Sequence, residues 1–146
     1  MLQAVEGAIV LRLVAALPSQ VKALSFPDKP IEQGFAQGAT TVYVRFAGVE
    51  LESNGSARSS FVQSGIVLFE VRFLVKDLRS HVGAYPLMET CQKTLSGFKP
   101  DGSDGYSFGL SGLQMTRMEL IERHPDYSLW DWGMMFRTDC IYEGVL

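Results

Sequence analysis

The chain has 146 residues, 47% of them hydrophobic and 20% charged, an ordinary globular balance that fits one domain with a core of its own. Its net charge of −3 argues against a nucleic-acid binder, which would carry a basic face or stripe, and no specific nucleic-acid binding is expected. The two cysteines, Cys91 and Cys140, are too few for a disulfide framework and read as reduced thiols.

The first element predicted is a helix from Leu2 to Leu17. Leu2, Val5, Ile9, Leu13 and Leu17 recur at three and four residues and form one stripe, widened by Val10 and Val14. Pro18 marks the stop. The apolar run Ala8–Leu17 is interrupted by Arg12 and lacks a basic leader, so it makes a poor signal peptide. It is also shorter than the ~20 residues that cross a membrane, and no membrane association is expected.

Gln20–Phe26 is a short strand ended by Pro27, and Asp28–Ala39 a loop. Thr41–Leu51 is a strand with Val42, Val44 and Phe46 on one face and Tyr43 and Arg45 on the other. The polar segment Ser53–Ser60 contains the turn signal Asn54-Gly55 and makes the tip of a hairpin whose return strand is Phe61–Lys76. Within it Val67, Phe69, Val71, Phe73 and Val75 point one way, and Leu68, Glu70, Arg72 and Leu74 the other.

A second helix follows, with Asp77 or Ser80 as its cap. Val82, Tyr85, Met88, Cys91 and Leu95 line one side, Pro86 falls near the first turn, and Gly97 ends the helix in a left-handed conformation with Phe98 packing back beneath it. Lys99–Gly112 is a loop rich in Gly, Asp and Ser. Gln114–Arg123 is a strand, His124–Ser128 a turn, and Leu129–Glu143 the closing strand. On that strand Trp130, Trp132, Met134, Phe136, Cys140 and Tyr142 share a face on which only Thr138 is polar. The order is helix, strand, strand, strand, helix, strand, strand. It specifies an α+β fold: a single domain over residues 1–146, with an antiparallel sheet of about five strands and two helices on one face.

Catalytic patterns are weak. Gly102-Ser103-Asp104-Gly105 follows no strand and opens no helix, so it makes no phosphate loop. Asp101 and Asp104 lack the acidic residue that closes a calcium loop. His81 and His124 have no close metal-ligand spacing; His124 reads as an exposed turn histidine, and His81, near a helix start, suits capping or solvent. No G-x-S-x-G frames a nucleophilic serine. The sequence implies neither an enzyme nor a cofactor. Glu70, Arg72, Arg117, Glu119, Arg137 and Asp139 remain. They alternate with core residues and face away from the helices. Such mixed charge suits solvent, cross-strand pairs worth ~0.2–1 kcal/mol each, or a polar interface with another copy of the chain. With Asn54 and Arg58 at the hairpin tip, they form the candidate subunit or partner interface.

The segments Val82-Gly-Ala-Tyr85-Pro-Leu-Met88 and Leu95-Ser-Gly97-Phe98-Lys-Pro100 resemble the helix of a Mu-like bacteriophage tail protein family, in which a similar helix ends in Leu-x-Gly-Phe. The early Leu17-Pro18 and the aromatic pair Trp130 and Trp132 leading to Phe136 agree with it. That family is similar in fold to tail terminator proteins of the lambda minor tail protein U type. The resemblance implies a non-enzymatic subunit of the virion tail, assembled in the bacterial host cytoplasm. It implies a homo-hexameric ring that caps the tail tube and joins it to the head, with tube and head–tail connector proteins as partners. The Ser53–Ser60 tip and the Lys99–Gly112 loop depart from the family pattern. A small non-enzymatic protein- or ligand-binding module without a virion role is the alternative.

Overall fold

The computed structural model describes residues 2–26, 40–51, 60–100, 106–108, 112–125 and 128–145. In chain order the elements are α1 (Leu2–Ala16), β1 (Lys22–Ser25), β2 (Thr41–Leu51), β3 (Ser60–Val75), α2 (Ala84–Leu95), β4 (Tyr106–Phe108), β5 (Gln114–His124) and β6 (Leu129–Val145). This is the α+β order expected. The sheet runs β1-β2-β3-β6, with β4 and β5 both pairing the far side of β6 along different parts of its length.

The long antiparallel ladder of β3 on β6, from Ser60↔Val145 to Val75↔Trp130, is the spine of the molecule. β2 joins it antiparallel, with a register shift between Phe46 and Gly48. β1 differs from an all-antiparallel sheet, because it runs parallel to β2. A parallel neighbour needs a connection of about a dozen residues or more, and the chain length between Ser25 and Thr41 allows one. β4 is a second addition. Three residues of the segment expected as a loop pair with Tyr142, Ile141 and Cys140.

One face of the sheet makes the core. Val42, Val44, Val67, Phe69, Val71, Phe73, Val75, Met134, Phe136 and Cys140 are buried in one cluster with residues of both helices. α1 contributes Val5, Ile9 and Leu13, with Leu17 just past its end, as its spacing demands. Val10 packs at the margin, but Val14 is exposed and Leu11 is 72% exposed. The buried stripe is therefore narrower than the helix's apolar content. Arg12 ties α1 to α2: its Nε donates to the Thr94 carbonyl at 2.9 Å and its guanidinium lies 4.4 Å from the centre of the Phe98 ring.

α2 starts later than its expected caps. Neither Asp77 nor Ser80 caps it by side chain, and the cap residue is Gly83. The backbone carbonyls of Asp77 and Leu78 instead accept the first N–H groups, from Ala84 and Tyr85, both at 2.9 Å. This moves the helix phase. Leu87 is buried with Ala84, Met88, Cys91 and Leu95, while Tyr85 stays exposed and meets Trp132 edge-on. The end of α2 follows expectation. Gly97 has φ +79°, the left-handed conformation that ends a helix. Its N–H donates to the Leu113 carbonyl and the Leu113 N–H donates to Phe98, each at 2.8 Å, which pins both ends of the segment between α2 and β5. No helix among the described residues is long and apolar enough to cross a membrane.

Candidate subunit interface

The outer face of the sheet carries the predicted candidates, and each strand places them by simple alternation. On β3, Glu70 and Arg72 point away from the helices. On β6, Asp131, Arg137 and Asp139 do so, and on β5, Arg117 and Glu119. Asn54 and Arg58 lie outside the described residues.

The structure divides this set in two. Toward the Val75 end of β3 the outer face is closed by its own charge network. Asp131 is 2% exposed. Its carboxylate accepts Arg72 Nε at 2.9 Å and Arg72 Nη2 as well, a two-pronged contact that matches the guanidinium fork. Gly133 stands opposite Arg72 in the β3–β6 register. A Cβ there would meet Arg72 Cδ at an ordinary 3.6 Å but Ile121 Cδ1 of β5 at 2.6 Å, so the missing side chain makes room for Ile121 beside the arginine stem. Glu70 Oε1 accepts Arg45 Nε at 2.7 Å and lies 3.4 Å from Arg72 Nη1. His124 Nε2 lies 3.3 Å from Asp131 Oδ2 and 3.9 Å from Glu122 Oε2. Burial works against the Arg72 charge, but hydrogen bonding and attraction from Asp131, followed by Glu70, outweigh it and hold the guanidinium above its ordinary pKa. Tyr43 and Leu74, on the same face, are buried too.

Glu70 and Arg72 are thus satisfied inside one subunit. Three members of their network were not among the sequence candidates. Alternation along β2 and β6 puts Arg45 and Asp131 on the outer face but gives neither a role. His124, expected in an exposed turn, ends β5 half-buried against Asp131. The missing information is register: nothing local tells which residues of β5 and β6 stand beside Arg72.

Away from this network the outer face is open. Arg137 pairs with Asp139 at 3.2 Å farther along β6, and Arg117 with Glu119 at 3.2 Å on β5, level with Glu70 and Arg72 but across β6; both pairs are exposed to solvent. Each lies at i and i+2 of one strand, so cation and anion alternate along the same face. Surface pairs of this kind add little to the fold, ~0–1 kcal/mol. Their charges remain available to a partner. Ile141 is exposed two residues from Asp139 on β6, and Leu11 and Val14 lie uncovered on the far side of the molecule, on α1.

The thiols show no reactive environment. Cys91 is fully buried on α2, and burial pushes its pKa far up. Cys140 is raised as well, by burial first and by the Asp139 charge second. Among the described residues, no group of three or more His, Cys, Asp or Glu is placed to hold a metal ion.

The family described as Gp37 protein matches residues 9–111. The chain belongs to the Gp37 protein family. The matched span contains α2 and its exit at Leu95–Pro100, while the aromatic opening of β6 lies beyond it. Among solved structures, the Gp37-family chain is similar to a chain of a particle titled "Virion of native gene transfer agent (GTA) particle". The two share 16% identity with a TM-score of 0.58, over 97% of this chain and 96% of that one. At that identity the likeness is one of fold. No curated protein matches the chain.

Proposed function

We propose that this Gp37-family chain is a structural, non-enzymatic protein of a phage-like particle, of the tail-terminator type. Its copies form a ring, six by analogy with lambda-type terminators, that caps the tail tube and joins it to the head. The observation that carries the reading is the end-to-end likeness in fold to a chain of a gene transfer agent virion. The resemblance of Tyr85–Pro100 and Trp130–Phe136 to Mu-like tail proteins supports the finer role. The partners are further copies of the chain, the tube protein and the head–tail connector, met in the host cytoplasm during assembly.

The surfaces are compatible with this role. A ring grows by heterologous contacts and needs two different patches on one subunit. The uncovered side of α1, with Leu11 and Val14, is one. The exposed Arg137–Asp139 pair on the opposite sheet face is the other. Asn54 and Arg58 join the proposal by their place at the hairpin tip in the sequence. Reversing Arg72 tests folding rather than assembly, because its charge is consumed within the subunit. Light scattering of the purified chain, with and without tube protein, tests the ring. A closed oligomer that is weakened by Leu11→Glu or Arg137→Glu is expected. A chain that stays monomeric in the presence of tubes and does not bind them would instead favour the binding module.

A further inference from the structure

β5 meets solvent on both faces along nearly its whole length. Among the described residues it pairs with β6 alone. A long open edge of this kind is a template for another strand. Register shifts between Met115 and Arg117 and between Leu120 and Glu122 mark bulges, which turn an edge away from its neighbours. They leave Arg117–Leu120 between them as a regular stretch. Arg117 and Glu119 project from its outer face, 68% and 45% exposed, and Met118 and Leu120 from the other, both exposed.

We propose that this stretch is a seat for a second copy of the chain, paired antiparallel about a twofold axis at Met118. The argument is charge complementarity. Turned about that axis, Arg117 stands opposite Glu119 of the second copy, and Glu119 opposite Arg117 of the second copy. On the other face Met118 meets its own counterpart and Leu120 closes toward Met115 of the second copy. Directly opposed side chains in antiparallel strands touch, and opposite charges there stabilise while like charges repel. A uniformly acidic or basic strand would set both charges against their like. A strand of mixed sign read in reverse fits both, and the chain itself carries that strand.

A contact repeated about a twofold is isologous and closes at two. It is therefore separate from ring closure and does not depend on it. The dimer belongs to the free subunit, whose open edge it covers before incorporation into a particle.

Sedimentation equilibrium of the full chain over a concentration series tests the proposal. A monomer–dimer equilibrium is expected. Arg117→Glu and Glu119→Arg should each weaken it about tenfold or more, because each replaces two attractive pairs by two repulsive ones. The double variant Arg117→Glu/Glu119→Arg restores both pairs with the signs exchanged and should regain the dimer. Met118→Cys gives a readout independent of affinity, since the two thiols meet at the axis and should form an intermolecular disulfide on mild oxidation. These positions are exposed, and matching thermal melts establish that each variant folds. The proposal is overturned by a wild-type chain that stays monomeric throughout, or by an oligomer indifferent to both single reversals. It is equally overturned if the double variant fails to recover the dimer. A larger ring unaffected by these changes would leave the terminator reading standing and remove this one.

Discussion

Replacing Arg72 by Ala removes the main cation of the outer-face network and tests whether that network belongs to the fold. Asp131 is 2% exposed, and Arg72 supplies two of the three contacts described for its carboxylate; the third is His124 Nε2 at 3.3 Å. Leaving a buried charge without its partner costs ~3–5 kcal/mol. The network is partly wet, with Arg72 17% exposed, and His124 Nε2 stays in contact with the carboxylate. The expected loss therefore lies at the lower end, about 3 kcal/mol. In a chain of this length that lowers the melting temperature by roughly 10 °C. Urea unfolding followed by tryptophan fluorescence is the assay, because Trp130 and Trp132 flank Asp131 in the sequence. Arg137→Ala, in an exposed pair, should cost under ~1 kcal/mol. Adding Asp131→Asn to Arg72→Ala should recover part of the loss, since no buried charge is then left over. A loss for Arg72→Ala as small as that for Arg137→Ala, or no recovery in the double variant, would refute the reasoning.

Three further outcomes are expected. Phe73→Ala should cost ~3–5 kcal/mol by opening a cavity in the sheet–helix core, and an unchanged thermal melt would show that the core is wrongly placed. Cys91 should make the protein less stable in alkali. Above the unfolded thiol's pKa, ~8.5, the unfolded chain gives up a proton that the buried thiol keeps. Stability is thus full below that pH and falls by about 1.4 kcal/mol per pH unit above it, until the folded thiol ionises. Urea midpoints that decline equally in Cys91→Ala would contradict this. Gly97→Ala should cost about 1 kcal/mol, because φ is +79° but the space around it is open. Gly112→Ala should cost clearly more, because φ is +66° and the new Cβ would overlap the Gly97 carbonyl. Equal melting temperatures for the two variants would deny the close approach of these segments.

Much of this architecture was legible in residue spacing, and the rest failed for identifiable reasons. Alternation along Val67–Val75 and Trp130–Cys140 placed every core side chain of β3 and β6 on the correct face, because period two is a local property. Glu70 and Arg72 came out on the outer face by the same rule. Asp131 falls on the same face, but its pairing with Arg72 rests on strand register, which no local pattern encodes. The direction of β1 was equally hidden, because a four-residue strand carries no sign of which way its neighbour runs. On α2, the turn through Asp77–Gly83 ends in backbone carbonyls rather than a side-chain cap. The helix therefore starts later than expected, and Leu87 rather than Tyr85 takes the buried position. The exposed Leu11 and Val14 lie on a helix apolar on most sides, where composition alone cannot separate a face for the core from a face for a partner.

Removal of the gene from its phage or prophage, followed by electron microscopy of the lysate, tests the central claim most directly. A terminator-type ring predicts tails of irregular length, or finished tails and heads that fail to join. Normal tails, correctly joined to heads in infectious particles, would contradict the account.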